Sequence, residues 1–181
     1  LKEIFILIFP EFENLNRLDR LIKVCNHSQI TKELLLAALL IDEKNSHEYF
    51  GHKYNVSNNI KDNLKLLARN YKYSKDNKDF FYKNLEKNVY LNGKNHLIYI
   101  NILNFVIDAK YKLKDFSENF KRILKSKIHK FNIDGKYLID NGMQQGSQIG
   151  KVLNKIEEEW IKNNFKITKN QIHKIIRSNV N

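Results

Sequence analysis

Several residues in this chain have types that can do chemistry, and their spacing decides which chemistry. His47-Glu48 followed by His52 approaches His-Glu-x-x-His, which sets two zinc-binding imidazoles one helical turn apart beside a glutamate base. Gly51 occupies the place of the second histidine, so that pattern fails. Gly146-Ser-Gln-Ile-Gly150-Lys151 approaches a phosphate loop. It has three intervening residues where four are required, and Val152 where Ser or Thr would ligate magnesium. Glu11-x-Glu13 and Glu157-x-Glu159 are carboxylate pairs, but residues two apart on a helix diverge and are expected to face solvent. Asp134 and Asp140 read as a helix cap and a helix-end residue rather than an acid–base pair. The six histidines are scattered, and the single Cys25 excludes an internal disulfide and a cysteine zinc cluster. Cys25 sits in an apolar run and reads as a buried small residue.

Binding remains. The formal net charge is +12, which favours polyanionic partners such as RNA. From Lys110 onward sixteen Lys or Arg stand against seven acids, so the excess is concentrated there. Lys121, Arg122, Lys125, Lys127 and Lys130 cluster around one helix and its exit. Contacts of this kind position phosphates without reading sequence. The competing reading is a solvated face in a composition dominated by Lys, Asn and Ile, as in a proteome from an A/T-rich genome. Tyr71, Tyr73 and Tyr111 have the rings to stack on bases, but core or rim packing is the default for each.

The stretch from Ile133 to Trp160 carries four of the six glycines and the only Met and Trp. Ile133 to Asp140 reads as a short helical turn stopped near Asn141-Gly142, since glycine enters the left-handed conformation freely. Gly146 and Ser147 open a new helix. Its apolar residues Ile149, Val152, Leu153, Ile156 and Trp160 form one stripe. Gly150 inside that helix costs about 1 kcal/mol relative to alanine, which suggests close backbone approach. Two readings stand. The free N–H groups at the helix start, with Lys151, hold a phosphate; or the stretch is a helix–loop–helix corner with glycines for tight packing.

The order Asp134-Gly135-x-x-Leu138, Gly142, Gly146-x-x-Ile149-Gly150-x-x-Leu153 and Trp160, followed by Phe165-Lys-Ile-Thr168, resembles the C-terminal region of bacterial class II CCA-adding tRNA nucleotidyltransferases and their poly(A) polymerase relatives. The resemblance covers roughly residues 131–176. Ser147 stands where the family usually has proline; both suit a first helical turn. The resemblance implies a helical body and tail that hold the tRNA acceptor–T-arm stack. An N-terminal head then adds AMP and CMP residues from ATP and CTP, with magnesium, to the 3′ end. That head carries Gly-Ser and Asp-x-Asp, whereas this chain has no Asp-x-Asp and no templating Glu-Asp-x-x-Arg. The chain is therefore expected to be inactive alone, with no catalytic, cofactor or metal residues of its own. Its candidate RNA contacts are Gly146, Ser147, Lys151, Lys121, Arg122 and Lys125. Features separating CCA from poly(A) addition would lie in the head and neck. A helical protein-interaction scaffold without RNA contact is the alternative.

The elements that must position these residues read as helices throughout. One proline and six glycines leave little room for turn-rich sheets. Residues 1–9 form a helix stopped by Pro10. Glu13–His27 is a second, with Leu15, Leu18, Leu21, Ile22 and Cys25 inward. Thr31 caps a third, whose run Leu34–Ile41 is apolar on nearly every side and belongs at the centre of a bundle. Ser46–Phe50 is a short turn of helix at Gly51, and Ser57 caps a longer helix. A helix from Asp76 or Asn77 carries Phe80, Phe81, Leu85 and Val89 inward. After the turn Leu91–Lys94, His96–Ala109 is a buried helix by its unbroken length. Asp115–Lys127 is amphipathic, and Thr168–Arg177 closes the chain. The expected fold is all-α, an array of roughly eight to ten helices without a catalytic α/β head. Residues 1–30 read as the end of a neck-like region, 31–110 as a helical body and 111–181 as a basic tail with the glycine-rich corner. Leu1 in place of Met suggests a fragment. No stretch approaches the ~20 apolar residues of a membrane span, and the apolar opening LKEIFILIFP is too short and lacks the small-residue cleavage site of a secretory signal; a cytoplasmic location is expected.

Overall fold

A computed structural model describes residues 2–25 and 30–179. These residues are all-α, with eleven α-helices, one short 3-10 helix and no strand. The chain divides into two compact units, Leu1–Ser126 and Lys127–Asn181.

The first unit holds α1 (Lys2–Ile8), a 3-10 turn (Pro10–Phe12), α2 (Arg17–Val24), α3 (Lys32–Leu40), α4 (Ser46–Lys53), α5 (Asn58–Asp76), α6 (Leu85–Asn92), α7 (Lys94–Ile107) and α8 (Leu113–Lys125). Helices α3 and α7 are apolar nearly all round, and they become the core for that reason. In α3, Leu34 and the four residues Ala37 to Leu40 are buried; in α7 every residue from Ile100 to Val106 is. Helix α7 packs against α2, α3, α5, α6 and α8. Each fully buried leucine there contributes about 1.5–3 kcal/mol.

The two buried asparagines of α7 are held by pairing. Asn101 Nδ2 donates to the Phe116 carbonyl at 2.9 Å, and its Oδ1 accepts from the Tyr111 hydroxyl at 2.7 Å. Asn104 donates to Ser74 Oγ at 2.8 Å. Two arginines of α2 close the ends of other helices. Arg17 Nη1 donates to the carbonyls of Ala38 (3.0 Å) and Ile41 (2.8 Å) at the end of α3. Arg20 does the same for Phe105, Asp108 and Tyr111 at the end of α7. The last carbonyls of a helix lack internal partners, and cationic donors suit that negative end.

Several boundaries differ from the sequence reading. Residues 13–16 are turns, so α2 begins at Arg17, and Ile22 is exposed rather than inward. The end expected at His27 lies outside the described residues. Thr31 caps α3, accepting from Leu34 N at 3.2 Å, whereas the Ser57 side chain makes no cap bond. Asn77 Oδ1 accepts from Asp79 N at 3.0 Å, a local turn that competes with helix. Residues 77–84 are therefore turns or loop, and α6 starts only at Leu85, although Phe80, Phe81, Leu85 and Val89 are all buried as expected. Helix α8 starts two residues early, because Asp115 Oδ2 accepts from Lys112 N at 3.2 Å.

The second unit holds α9 (Gly135–Asp140), α10 (Gln148–Lys162) and α11 (Lys169–Arg177) around Leu138, Met143, Val152, Ile156, Ile172 and Ile176. Asp134 caps α9, its Oδ1 accepting from Tyr137 N at 2.9 Å. The helix ends in a Schellman turn: Gly142, at φ 94°, donates to the Ile139 carbonyl, and Met143 N donates to Leu138 O, both at 3.0 Å. That turn places Met143 against Leu138 in the core. Thr168 and Gln171 form the capping box of α11, with Thr168 N donating to Gln171 Oε1 at 2.8 Å. The end of α10 turns through left-handed Asn164 and Phe165, φ 53° and 60°. A bulky residue there is strained. The Phe165 ring is held between the edge of Trp160, with centroids 4.9 Å apart, and the face of His129, at 3.7 Å.

Candidate nucleic-acid interface

Helix α8 faces the core of the first unit with Phe116, Asn119 and Ile123, spaced three and four apart. Lys121, Arg122 and Lys125 fall on the opposite side and are all exposed. Lys121 and Lys125 form no ion pair among the described residues. Arg122 is anchored: its guanidinium lies over the Tyr82 ring, 4.4 Å from the centroid. Stacking of this kind leaves the N–H edge of the fork available. The helix end is fixed by Lys94, whose Nζ donates to the Leu124 carbonyl at 2.7 Å.

Gly146, Ser147 and Lys151 lie together at the start of α10 in the second unit, and all three are exposed. Ser147 already has helical dihedrals (φ −60°, ψ −18°) and makes no side-chain cap bond, so the expected serine cap is absent. Gly150 does not mark a close approach within the chain. A Cβ there would meet nothing within 4 Å, and the same holds at Gly146. The tight contact is at Gly135, where a Cβ would sit 3.2 Å from Ile149 Cγ2. The stripe on α10 stands: Val152, Ile156 and Trp160 are buried, with Ile149 and Leu153 packed against the same core.

The other chemical candidates take structural places. Glu11 is buried rather than solvent-facing and pairs with Lys53 at 3.3 Å, while Glu13 pairs with Lys44 at 2.8 Å. These two carboxylates thus serve different lysines. Burial pushes the Cys25 thiol up from its ordinary pKa. Tyr111 accepts from Asn119 Nδ2 at 2.6 Å inside the core network, and burial pushes its pKa up to about 12. Tyr71 is buried too, with its pKa likewise raised to about 12, first by desolvation. Neither ring is presented to a base. Among the described residues no group of three or more His, Cys, Asp or Glu side chains is placed to hold a metal ion. Nor is any helix among them long and apolar enough to cross a membrane. The roles of Arg17 and Arg20 were hidden in the sequence, where arginines on an amphipathic helix look like solvent-facing charge.

No protein-family model, curated protein or solved structure matches the chain.

Proposed function

We propose that this chain is an RNA-holding helical module, of the kind that its likeness to CCA-adding and poly(A)-adding enzymes implies. The reading is carried by the exposed, unpaired Lys121 and Lys125 beside Arg122 on one face of α8. That helix lies in the part of the chain where the basic excess is concentrated. Lysines free of acidic partners release counterions when they meet phosphates, which is the main source of sequence-independent affinity. The exposed start of α10, with Lys151 beside Gly146 and Ser147, supports a second phosphate contact in the other unit. In this reading the module holds the acceptor and T-arm of a tRNA. A catalytic domain bearing the metal-binding carboxylates, with magnesium and ATP or CTP, extends the 3′ end. The chain itself performs no chemistry.

Binding of the chain to folded tRNA and to single-stranded RNA of equal length, from about 50 to 200 mM salt, tests this. Six to ten phosphate contacts on a duplex would cost on the order of 10³–10⁵ in affinity over that range. Saturable, salt-steep binding that prefers tRNA is expected. Equal and weak binding to both would make the charge generic.

A protein-interaction scaffold is the second reading, and α1 favours it. Ile4 is 62% and Leu7 83% exposed, with Ile8 also in solvent. Scattered apolar residues are ordinary on a surface, but three on one short helix are not. That reading expects partner binding that is insensitive to salt.

A further inference from the structure

The first turns of α3 and α7 meet α5 around a small pocket of about 240 Å³ inside the first unit. Leu66 and Leu67 of α5 give it apolar surface, while Glu33, Asn63, His96 and Tyr99 bring polar groups to its lining. Its volume falls below the roughly 300–1,000 Å³ of drug-sized ligand sites, so it suits one ring-sized group.

The polarity of two of these groups is set by their surroundings. Asn92 Nδ2 donates to the Asn88 carbonyl at 3.2 Å, which leaves Asn92 Oδ1 as an acceptor. Asn70 therefore turns its Nδ2 toward that oxygen, at 3.1 Å, and the second proton of the same nitrogen goes to His96 Nε2 at 2.9 Å. Burial, with Arg69 adding to it, pushes the His96 pKa below its ordinary value, so the neutral ring prevails near pH 7. Since Nε2 accepts, the one ring proton sits on Nδ1. That N–H has no hydrogen-bond partner among the described residues and is not sealed from solvent.

Glu33 is the complementary group. It is half-buried and forms no ion pair among the described residues, and a carboxylate only accepts. Thr31 Oγ1 is already engaged, accepting from Leu34 N at 3.2 Å and from the Tyr99 hydroxyl at 3.4 Å. The pocket thus offers one fixed donor and one fixed acceptor beside an apolar surface.

We propose that this pocket takes a single unstacked nucleobase bearing an exocyclic amino group, which donates to Glu33 while the neighbouring ring nitrogen accepts from His96 Nδ1–H. Cytosine and adenine present that donor–acceptor pair; uracil presents a ring N–H between two oxygens and does not. The base is uncharged, so a lone carboxylate does not repel it, and the phosphates stay outside. An RNA strand as the carrier of that base rests on the RNA-holding reading above; the pocket itself uses neither α8 nor α10.

The test is fluorescence anisotropy of labelled hexacytidylate and hexauridylate, equal-sized bases on the same backbone, with the whole chain. The ratio of the two affinities reports the base, because phosphate contacts cancel in it. The parent is expected to prefer hexacytidylate at least about tenfold, and Glu33→Ala to bring the ratio within about twofold of equality. Glu33 has no ion pair to lose, so this variant should fold as the parent does. Lys121→Glu with Lys125→Glu should weaken both oligomers alike. The His96 imidazole nitrogens, followed by NMR, should shift with hexacytidylate and not with hexauridylate. The proposal is overturned if the parent binds both oligomers equally, if the preference survives in Glu33→Ala, or if the His96 signals do not move. Free cytidine binding as tightly as hexacytidylate overturns the strand and assigns the pocket to a nucleoside. A cytidylate preference alongside generic, weak binding of tRNA leaves the pocket standing and removes the tRNA grip. Equal binding of both oligomers with salt-steep binding of tRNA does the reverse.

Discussion

Arg20 holds Phe105 twice, donating from Nε to its carbonyl at 2.7 Å while its guanidinium lies 4.4 Å from the centroid of the Phe105 ring. The same fork reaches the carbonyls of Asp108 and Tyr111, so one side chain closes the end of the central helix α7. Arg20→Ala would strand these carbonyls, at a cost of about 1.5–3 kcal/mol. Arg20→Lys should recover only part, since an ammonium lacks the planar fork. Urea unfolding checks this through a lowered midpoint at unchanged slope.

The glycines of the second unit divide by backbone. Gly150 is helical with open space around a would-be Cβ, so Gly150→Ala should stabilise by about 0.5–1 kcal/mol. Gly142 sits at φ 94°, and Gly142→Ala should destabilise by roughly 1–2 kcal/mol despite equal space. Thermal melts of the two variants should shift in opposite directions. A shift of both in the same direction would remove the Schellman account of the α9 end.

Lys121→Ala and Lys125→Ala on α8 should each lower the salt slope of tRNA binding by about one, and weaken binding alike across RNA sequences. Neither side chain touches the core, so both variants should melt as the parent does. Arg122→Lys keeps the charge but loses the plane over Tyr82, and a weaker effect than Arg122→Ala is expected. Salt-dependent titrations distinguish these outcomes from a general loss of fold.

Acid should destabilise the first unit through two histidines. Burial pushes the pKa of His47 and of His96 down, and Arg69 adds to the shift at His96. In the unfolded chain both return to about 6.5 and bind protons more readily than in the native state. Their contribution is thus fully present above about pH 6.5 and is lost as pH falls from there through the depressed native values. His47→Phe should flatten the pH dependence of the unfolding midpoint below about pH 6.5, relative to the parent chain. An unchanged profile would mean that carboxylates alone govern acid sensitivity.

Most of the helical framework could be read from apolar spacing. The runs in α3 and α7 are too long and too apolar for anything but buried helices, and the stripe from Val152 to Trp160 has only one face. What escaped were places where a side chain overrides local pattern. Asn77 bonds Asp79 and breaks a helix that Phe80 to Val89 would otherwise support. Gly150 looked like a contact point, although the close approach belongs to Gly135 and Ile149. The candidate site was legible as charge but not as geometry. Lys121 and Lys125 are solvent-facing as their helical spacing requires, while the Tyr82 ring under the Arg122 guanidinium comes from a distant stretch of chain that spacing cannot place.

Trp160 is the sole tryptophan of the chain, it lies on α10 in the second unit, and Phe131, Phe165 and His129 of that unit stand around its ring. Indole emission therefore follows the surroundings of α10, whereas far-ultraviolet dichroism sums the helices of both units. Denaturation curves followed by the two signals would coincide if the units melt as one cooperative block. If they separate, the chain carries its own internal thermometer for one half, with no label attached.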